Sequence, residues 1–286
     1  MAGEEPYPRK ILQYMEGFLV SKALFSACEL GVFERLQGSQ WSASDLALSL
    51  GCSEDGMERL LNTCVSLELL TARTDPHGAV VYSNTEMSSM FLLKSSPRSL
   101  CQSIEYSSRT IYLCWHYLSD AVREGKNQYE KAFGVDSRDL FEAMYRSDEE
   151  MVKFMHLMNS VWNICGRDVI TAFDLSPFRC ICDLGGCSGA LAKQCVSAFP
   201  QSTVTIFDLP KVVRTSQQHF VCNQDERICF CEEAEFLKDL HAALKLIVHG
   251  CHDPEKSKES HKASEQSFVP NTNLYDISKI HSKWIM

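Results

Sequence analysis

The chain has 286 residues, enough for about two domains, and 45% of them are hydrophobic, which excludes wholesale disorder. Its 37 Asp and Glu against 28 Lys and Arg give a formal net charge of −9, which argues against a nucleic-acid partner because phosphate binding needs a basic face. The 14 cysteines contain no Cys-x-x-Cys pair, so we interpret them as reduced, mostly core thiols of a cytoplasmic protein, with no metal site. We expect no secretory signal and no membrane span, since no apolar run approaches ~18 residues.

The N-terminal third has the pattern of a winged helix. Apolar residues recur at three- and four-residue steps over 11–36 until Gly31 interrupts them, which predicts one long or two short amphipathic helices. Ser42 and Ser53 are predicted N-caps of two further helices. The turn-rich stretch 74–83 predicts a β-hairpin. Helix, turn, helix and hairpin in this order are typical of a winged-helix module.

DNA binding is the usual role of such a module, but the sequence of its second helix argues against it. Three carboxylates, Glu54, Asp55 and Glu58, stand there against the single cation of Arg59. Carboxylates facing a phosphate backbone would repel it. We therefore favour a dimerisation or packing role for this module over DNA binding.

The stretch from about 100 to 172 has helical periodicity and is rich in methionine towards its end. It contains Tyr145 and Trp162, whose flat rings could pack on a ligand or simply fill a core. No internal repeat is present in the chain. This stretch alone does not decide between the two roles of the aromatic residues.

At residue 180 the pattern changes to that of a nucleotide-binding unit. The segment CICDLGGCSGALA (180–192) is a short apolar run, a glycine cluster and a helix start. About 20 residues further on, TVTIFDLP (203–210) is a second apolar strand that ends in Asp208, and Pro210 opens another helix. A βαβ unit with an acidic residue at the tip of the second strand is the ribose-binding arrangement of a Rossmann-like site.

Asp183 bears on which nucleotide binds. A carboxylate directly before the turn would repel the pyrophosphate of NAD, whereas it would attract the ammonium and sulfonium groups of S-adenosylmethionine. Gly185, Gly186 and Gly189 would let the backbone approach the ligand, and Asp208 could accept hydrogen bonds from both ribose hydroxyls. These residues favour S-adenosylmethionine, with NAD and a purely structural βαβ unit as the alternatives.

Seven segments of the chain resemble the acetylserotonin O-methyltransferase family, a family of class I, plant caffeic-acid-type O-methyltransferases. The resemblance runs from about residue 11 to about 221 and also extends in part to a longer acetylserotonin methyltransferase-like protein. The segments are ACELGVF (27–33), SNTEMSS (83–89), RTIYLCW (109–115), AVREGKNQY (121–129), MYRS (144–147), TAFDLS (171–176) and the glycine motif (182–192).

The resemblance implies an α-helical winged-helix dimerisation domain over 1–105, followed by an α/β Rossmann-like methyltransferase domain with an incomplete sheet over 106–250. It further implies a domain-swapped homodimer that transfers a methyl group from S-adenosylmethionine to the hydroxyl of N-acetylserotonin, giving melatonin. The implied cofactor contacts are Tyr145 and Trp162 near the ligand, the 185–189 turn, and Asp208 on the ribose. Asp183 joins them on the electrostatic argument above.

After the second strand the chain departs from the family pattern. Ala234, Glu235 and Phe236 stand where the family has the Gly-Asp-Phe that frames the adenine. His252 stands near the position of the family's general base, but the preceding arginine is absent and Pro254 replaces a tryptophan. The charged composition of 251–286 predicts a divergent, disordered tail, from a splice event or a gene-model error. The alternative function is therefore a catalytically impaired isoform that dimerises and binds cofactor only in part.

Overall fold

The computed structural model describes residues 7–135, 140–220 and 226–232. Within these ranges the chain divides into two compact units. The first unit contains the residues up to 118 together with 153–166, and the second contains 119–152 together with the residues from 167 onwards. The boundary at 105/106 stays a prediction.

The first unit is mainly helical and has one small antiparallel sheet. A π-helical stretch, Ser107–Ile111, joins α6 to α7. The elements are α1 (Arg9–Leu30), α2 (Val32–Arg35), β1 (Trp41–Ser42), α3 (Ala43–Leu50), α4 (Glu54–Ser66), β2 (Leu70–Thr74), β3 (Val80–Asn84), α5 (Glu86–Phe91), α6 (Cys101–Tyr106) and α7 (Tyr112–Trp115).

Side-chain caps set the helix starts that were expected from the sequence. The Ser42 hydroxyl accepts a hydrogen bond from the Asp45 N–H, and the Ser53 hydroxyl accepts one from the Gly56 N–H, which satisfies amides that the first helical turn leaves free. Gly31 adopts a left-handed conformation between α1 and α2, so the predicted helical stretch is one long helix followed by one short helix.

The predicted hairpin is present, but its first strand begins earlier than residue 74. β2 starts at Leu70 and pairs antiparallel with β3, and β1 pairs with the other side of β3. Tyr82 of β3 is buried, and its hydroxyl donates to the Asn62 side chain of α4, which attaches the hairpin to the helix pair. The winged-helix pattern is thus confirmed.

The second unit contains a parallel sheet and the helices beside it. Residues 148–152 and 167–170 of the long helix α11 belong to this unit, whereas its middle belongs to the first unit. The elements are α8 (Leu118–Glu124), α9 (Tyr129–Phe133), α10 (Leu140–Met144), α11 (Asp148–Ile170), β4 (Cys180–Leu184), α12 (Ala190–Ala198), β5 (Thr203–Asp208), α13 (Pro210–His219) and β6 (Ile228–Glu232).

The parallel sheet has the order β4-β5-β6 over the described residues, with Asp183 opposite Ile206 and Asp208 opposite Glu232. One of its faces packs against α12 around the buried side chains of Val204 and Ile206. α12 connects β4 to β5 and α13 connects β5 to β6, which gives two successive βαβ crossovers between neighbouring parallel strands. The predicted βαβ unit is therefore present, and the α/β fold class is confirmed.

Cysteines on the other face of this sheet are more exposed than the sequence predicted. Of the twelve cysteines that the structure describes, all are free thiols, but Cys180, Cys182 and Cys229 are exposed and only three are buried. The prediction of mostly core thiols was therefore wrong for these strand cysteines, because successive side chains of a strand point to opposite faces of the sheet and only one face is packed.

No helix in the described part of the chain is long and apolar enough to cross a membrane.

Candidate functional site

The candidate site lies at the carboxyl edge of the parallel sheet. β4 ends one residue after Asp183, and β5 ends at Asp208. Because the strands are parallel and adjacent, both carboxylates stand at the same edge. The Gly185 N–H donates to the Phe207 carbonyl at 2.8 Å, which starts the turn between β4 and α12 directly beside β5.

Asp208 fastens this turn to the end of the second strand. One of its carboxylate oxygens accepts a hydrogen bond from the Cys187 N–H at 2.9 Å, and the other accepts one from the Leu209 N–H at 2.7 Å. The residue is only 7% exposed. Each carboxylate oxygen can accept a further hydrogen bond, so Asp208 can still hold a pair of hydroxyl groups.

The Asp183 carboxylate accepts fewer hydrogen bonds than the Asp208 carboxylate among the described residues. Its Oδ2 atom is buried and has no hydrogen-bond partner among the described residues. Burial, followed by the charge of Asp208, raises the pKa of the Asp183 carboxyl above its ordinary value. Burial also raises the pKa of Asp208, although its two backbone hydrogen bonds act in the opposite direction. A half-buried and a buried carboxylate, neither of them in an ion pair in the described part of the chain, make this edge attractive to a positively charged ligand.

The glycine turn lies very close to the strands beneath it. A Cβ on Gly186 would stand 2.6 Å from Asp183 Oδ2 and 2.9 Å from Ile206 Cγ2, and a Cβ on Gly189 would stand 3.0 Å from Ile206 Cδ1. These positions therefore accommodate no side chain without a shift of their neighbours. The turn forms a cradle of bare backbone next to the Asp183 carboxylate.

Two residues of the turn environment were not identified from the sequence. Cys187 has a left-handed φ of 51°, which is unusual for a residue other than glycine, and burial, helped by Asp208, raises the pKa of its thiol to about 12. Ser216 of α13 is fully buried, and its hydroxyl donates to the Cys187 carbonyl. Neither the residue types nor their spacing gives a signal for these contacts, because they depend on how α13 packs.

Tyr145 follows α10 directly and belongs to the same unit as the two carboxylates. Burial raises the pKa of its phenol, and the charges of Cys187 and Asp208, which lie within electrostatic range of it, raise it further. Its ring lies against Phe141 with the centroids 6.0 Å apart.

The structure thus brings together six of the predicted site residues: Tyr145, Asp183, Gly185, Gly186, Gly189 and Asp208. Trp162 lies in the part of α11 that belongs to the first unit and is partly buried there. Ala234, Glu235, Phe236 and His252 lie outside the described residues, as does the predicted tail 251–286. The ligand-binding role of all these residues stays a prediction.

Two family models match the chain, one for each kind of fold described above. The model described as an O-methyltransferase dimerisation domain matches residues 12–94. The model described as an O-methyltransferase domain matches residues 115–262.

Individual relatives agree with these models. The acetylserotonin O-methyltransferase of Gallus gallus is 54% identical over 256 residues, which cover 88% of this chain and 73% of that protein. The human acetylserotonin O-methyltransferase is 46% identical over 264 residues, which cover 91% and 76% of the two chains. The crystal structure of human N-acetylserotonin methyltransferase in complex with SAM aligns with a TM-score of 0.75 at 46% identity, over 82% of this chain and 68% of that one.

The close contact under Gly186 predicts that the turn tolerates no Cβ there. Gly186→Ala should lower the melting temperature of the second unit clearly, because overpacking a tight contact destabilises by ~1–3 kcal/mol. Gly17→Ala, in α1 with open space around the added methyl group, is the matched control and should leave the melting temperature unchanged or raise it. Equal melting temperatures for Gly186→Ala and the wild type in differential scanning fluorimetry would show that the turn is not packed as described.

The raised pKa of Asp183 predicts a pH-dependent loss of stability in the ligand-free protein. Since the folded-state pKa lies above the unfolded value of ~3.9, Asp183 destabilises the fold increasingly as the pH rises through that interval. The melting temperature of Asp183→Asn minus that of the wild type should therefore grow between pH 4 and pH 7. Asp174, whose pKa is lowered by hydrogen bonds with Ser176, contributes stability that is already complete above the unfolded value of ~3.9, so the difference for Asp174→Asn should stay nearly constant between pH 4 and pH 7. Parallel pH profiles for the two variants would contradict the assignment.

Proposed function

We propose, because this chain belongs to the acetylserotonin O-methyltransferase family, that it is an S-adenosylmethionine-dependent O-methyltransferase that methylates the hydroxyl of N-acetylserotonin to give melatonin. The observation that carries the proposal is the pair of carboxylates, half-buried Asp183 and buried Asp208, at the edge where the glycine turn packs. The free thiols of the described cysteines support a cytoplasmic location.

The residues present fit this cofactor on two counts. The unsatisfied Oδ2 atom of Asp183 supplies an acceptor and a negative charge for a cationic amino-acid group. The missing side chain at Gly186 lets the turn lie directly on this carboxylate, where a Cβ would stand 2.6 Å from Asp183 Oδ2. A dinucleotide is the poorer fit, since its pyrophosphate would lie beside the Asp183 carboxylate and be repelled by it.

Each residue of the site has a separate role in binding the cofactor. Asp208 holds the ribose hydroxyls, Asp183 attracts the cationic part of the ligand, and Tyr145 bounds the site with its ring. Trp162, and the segment of Ala234, Glu235 and Phe236, would add contacts to the aromatic base. The cofactor supplies an electrophilic methyl group when it is bound.

A base is needed for the substrate hydroxyl, and His252 is the candidate. A neutral imidazole with a pKa near ~6.5 can take the phenolic proton at neutral pH. Alignment of the oxygen with the methyl group supplies much of the remaining acceleration. The protein's own contribution is therefore the fixed position of the bound partners and the acceptance of one proton.

Homodimerisation through the first helix completes the proposal. Ile11, Tyr14, Met15, Phe18 and Leu19 recur at helical spacing on α1, and each is more than half exposed. A stripe of this size is typical of an interface between subunits. The match of the dimerisation-domain model to residues 12–94 includes most of this stripe.

A second candidate is a chain that dimerises and binds cofactor but transfers no methyl group. The observation in its favour is the departure of the sequence from the family pattern around Gly250 and Pro254, where the arginine and the tryptophan are missing. This candidate dimerises and binds the cofactor as the first one does. It differs only in lacking the base that methyl transfer needs. Binding and turnover measured on the same preparation separate the two.

We expect purified 1–286 to bind S-adenosylmethionine and to transfer a labelled methyl group from it to N-acetylserotonin. Asp208→Asn should weaken cofactor binding at least about ten-fold in calorimetry, since a hydrogen bond to a charged group contributes ~1.5–3 kcal/mol. Asp174→Asn, on an exposed carboxylate outside the site, is the control and should bind normally. Binding without any turnover would establish the second candidate, and unchanged binding by Asp208→Asn would remove Asp208 from the site.

The double substitution Ile11→Asp and Phe18→Asp should convert the dimer to a monomer. Two carboxylates in an apolar interface would have to be desolvated without partners, which is unfavourable. Gln13→Asp, on the opposite side of α1, is the control and should remain dimeric in sedimentation velocity at micromolar concentration. An unchanged sedimentation coefficient for the double variant would place the interface elsewhere.

A further inference from the structure

Tyr145 lies in a tight corner between α10 and α11. α10 ends directly before it, and its N–H still donates to the Phe141 carbonyl at 2.8 Å. Ser147 is the N-cap of α11, and its hydroxyl accepts a hydrogen bond from an amide of the first helical turn. Only Tyr145 and Arg146 therefore stand between one helix and the cap of the next, so the conformation of this corner determines where the Tyr145 ring points.

The Arg146 side chain fixes the corner from the interior of the second unit. It is only 14% exposed, and it forms an ion pair with Glu150, one turn further along α11, which is 18% exposed. Its guanidinium carbon lies 4.1 Å from the centroid of the Phe133 ring and 5.7 Å from that of Tyr129, both in α9. Because a planar guanidinium stacks on rings and pairs with a carboxylate at the same time, this one group links α9, the corner and α11.

A second ion pair holds the same corner from outside. Lys211 of α13 lies 3.0 Å from the Asp148 carboxylate at the start of α11, but the two side chains are 47% and 86% exposed. Exposed ion pairs are screened by water and salt and contribute little, whereas a mostly buried pair keeps one geometry. Arg146 is therefore the stronger constraint on the corner, and the exposed pair is its natural control.

Stability alone does not explain an arginine at this position. The Nη1 atom of Arg146 is buried and has no hydrogen-bond partner among the residues that the structure describes. A buried donor without a partner is unfavourable, and apolar side chains in place of a buried ion pair are often neutral or stabilising. The pair with Glu150 is thus better explained by the geometry that it imposes than by the stability that it adds.

We propose that Arg146 is a positioning residue of the cofactor site, which directs the Tyr145 ring towards the bound ligand by fixing the corner between α10 and α11. This inference rests on the proposed function, which gives Tyr145 its contact with the cofactor. The Tyr145 phenol lies within electrostatic range of Cys187 and Asp208, so a shift of the corner moves the ring relative to the edge that holds the ribose. Arg146 acts through Tyr145 and needs no contact of its own with the ligand.

A double-mutant cycle tests whether Arg146 acts through Tyr145. Arg146→Lys keeps the charge but loses the planar group that stacks and pairs. It should weaken S-adenosylmethionine binding about ten-fold in calorimetry, but less than about two-fold in a Tyr145→Ala background, because residues that act as a unit are not additive. Glu150→Gln, which leaves Arg146 intact, should behave in the same way. Asp148→Asn, which removes only the exposed pair, is the control and should change the affinity less than about two-fold in both backgrounds.

Amide exchange in the ligand-free protein tests the corner without any cofactor. Deuterium uptake over 140–151, measured by mass spectrometry, should be faster in Arg146→Lys than in the wild type and unchanged in Asp148→Asn. Equal uptake in Arg146→Lys and the wild type would overturn the proposal, since the corner would then not depend on the guanidinium.

The binding results separate this proposal from the proposed function. Equal weakening by Arg146→Lys with and without the Tyr145 ring would show a general structural role and overturn the inference. Wild-type affinity in both Arg146→Lys and Glu150→Gln would overturn it as well, and in both cases binding by the wild type leaves the proposed function intact. A wild-type protein that binds no S-adenosylmethionine would instead remove the proposed function, and the role of Arg146 with it.

Discussion

The site depends on the two hydrogen bonds that the Asp208 carboxylate accepts from the N–H groups of Cys187 and Leu209. These bonds join the turn after β4 to the start of α13 and help to determine where the glycine backbone lies. The left-handed conformation of Cys187 persists because this hydrogen bond and the Ser216 contact hold the residue from both sides. Two further hydrogen bonds, from the Gly185 N–H to the Phe207 carbonyl and from the Ser216 hydroxyl to the Cys187 carbonyl, hold the same turn.

The arrangement has an electrostatic consequence for the protein without ligand. Asp208 is buried and Asp183 is half-buried, and the charge of Asp208 makes the ionised form of Asp183 still less favourable. The folded domain therefore carries an unfavourable interaction that a cationic ligand relieves. Part of the affinity for such a ligand arises from removing this repulsion, which is why stability and binding respond in opposite directions to the Asp183 charge.

Local sequence patterns predicted the elements that depend on neighbouring residues. Ser42 and Ser53 opened the expected helices, because a cap is a contact over three residues, and the apolar runs before Asp183 and Asp208 became strands of one sheet. The start of β2 at Leu70 was missed, because pairing with β3 extends the strand beyond the turn residues that marked it. Cys187 and Ser216 were missed because their contact joins residues far apart in the chain.

The same distinction between local and distant contacts explains why the exposure of the strand cysteines was not predicted. The buried face of the parallel sheet is covered mainly by α12 and α13, the two segments that connect its strands, so a short stretch of sequence contains both partners of most contacts, with Ile170 of α11 as an exception. The opposite face has no such local partner, and an apolar run does not indicate which of its two sides will be covered. The carboxylate pair and the glycine turn lie at the edge built from the local elements. This half of the site is therefore encoded by residues 180–220, and the part of the sequence that departs from the family bears on the base.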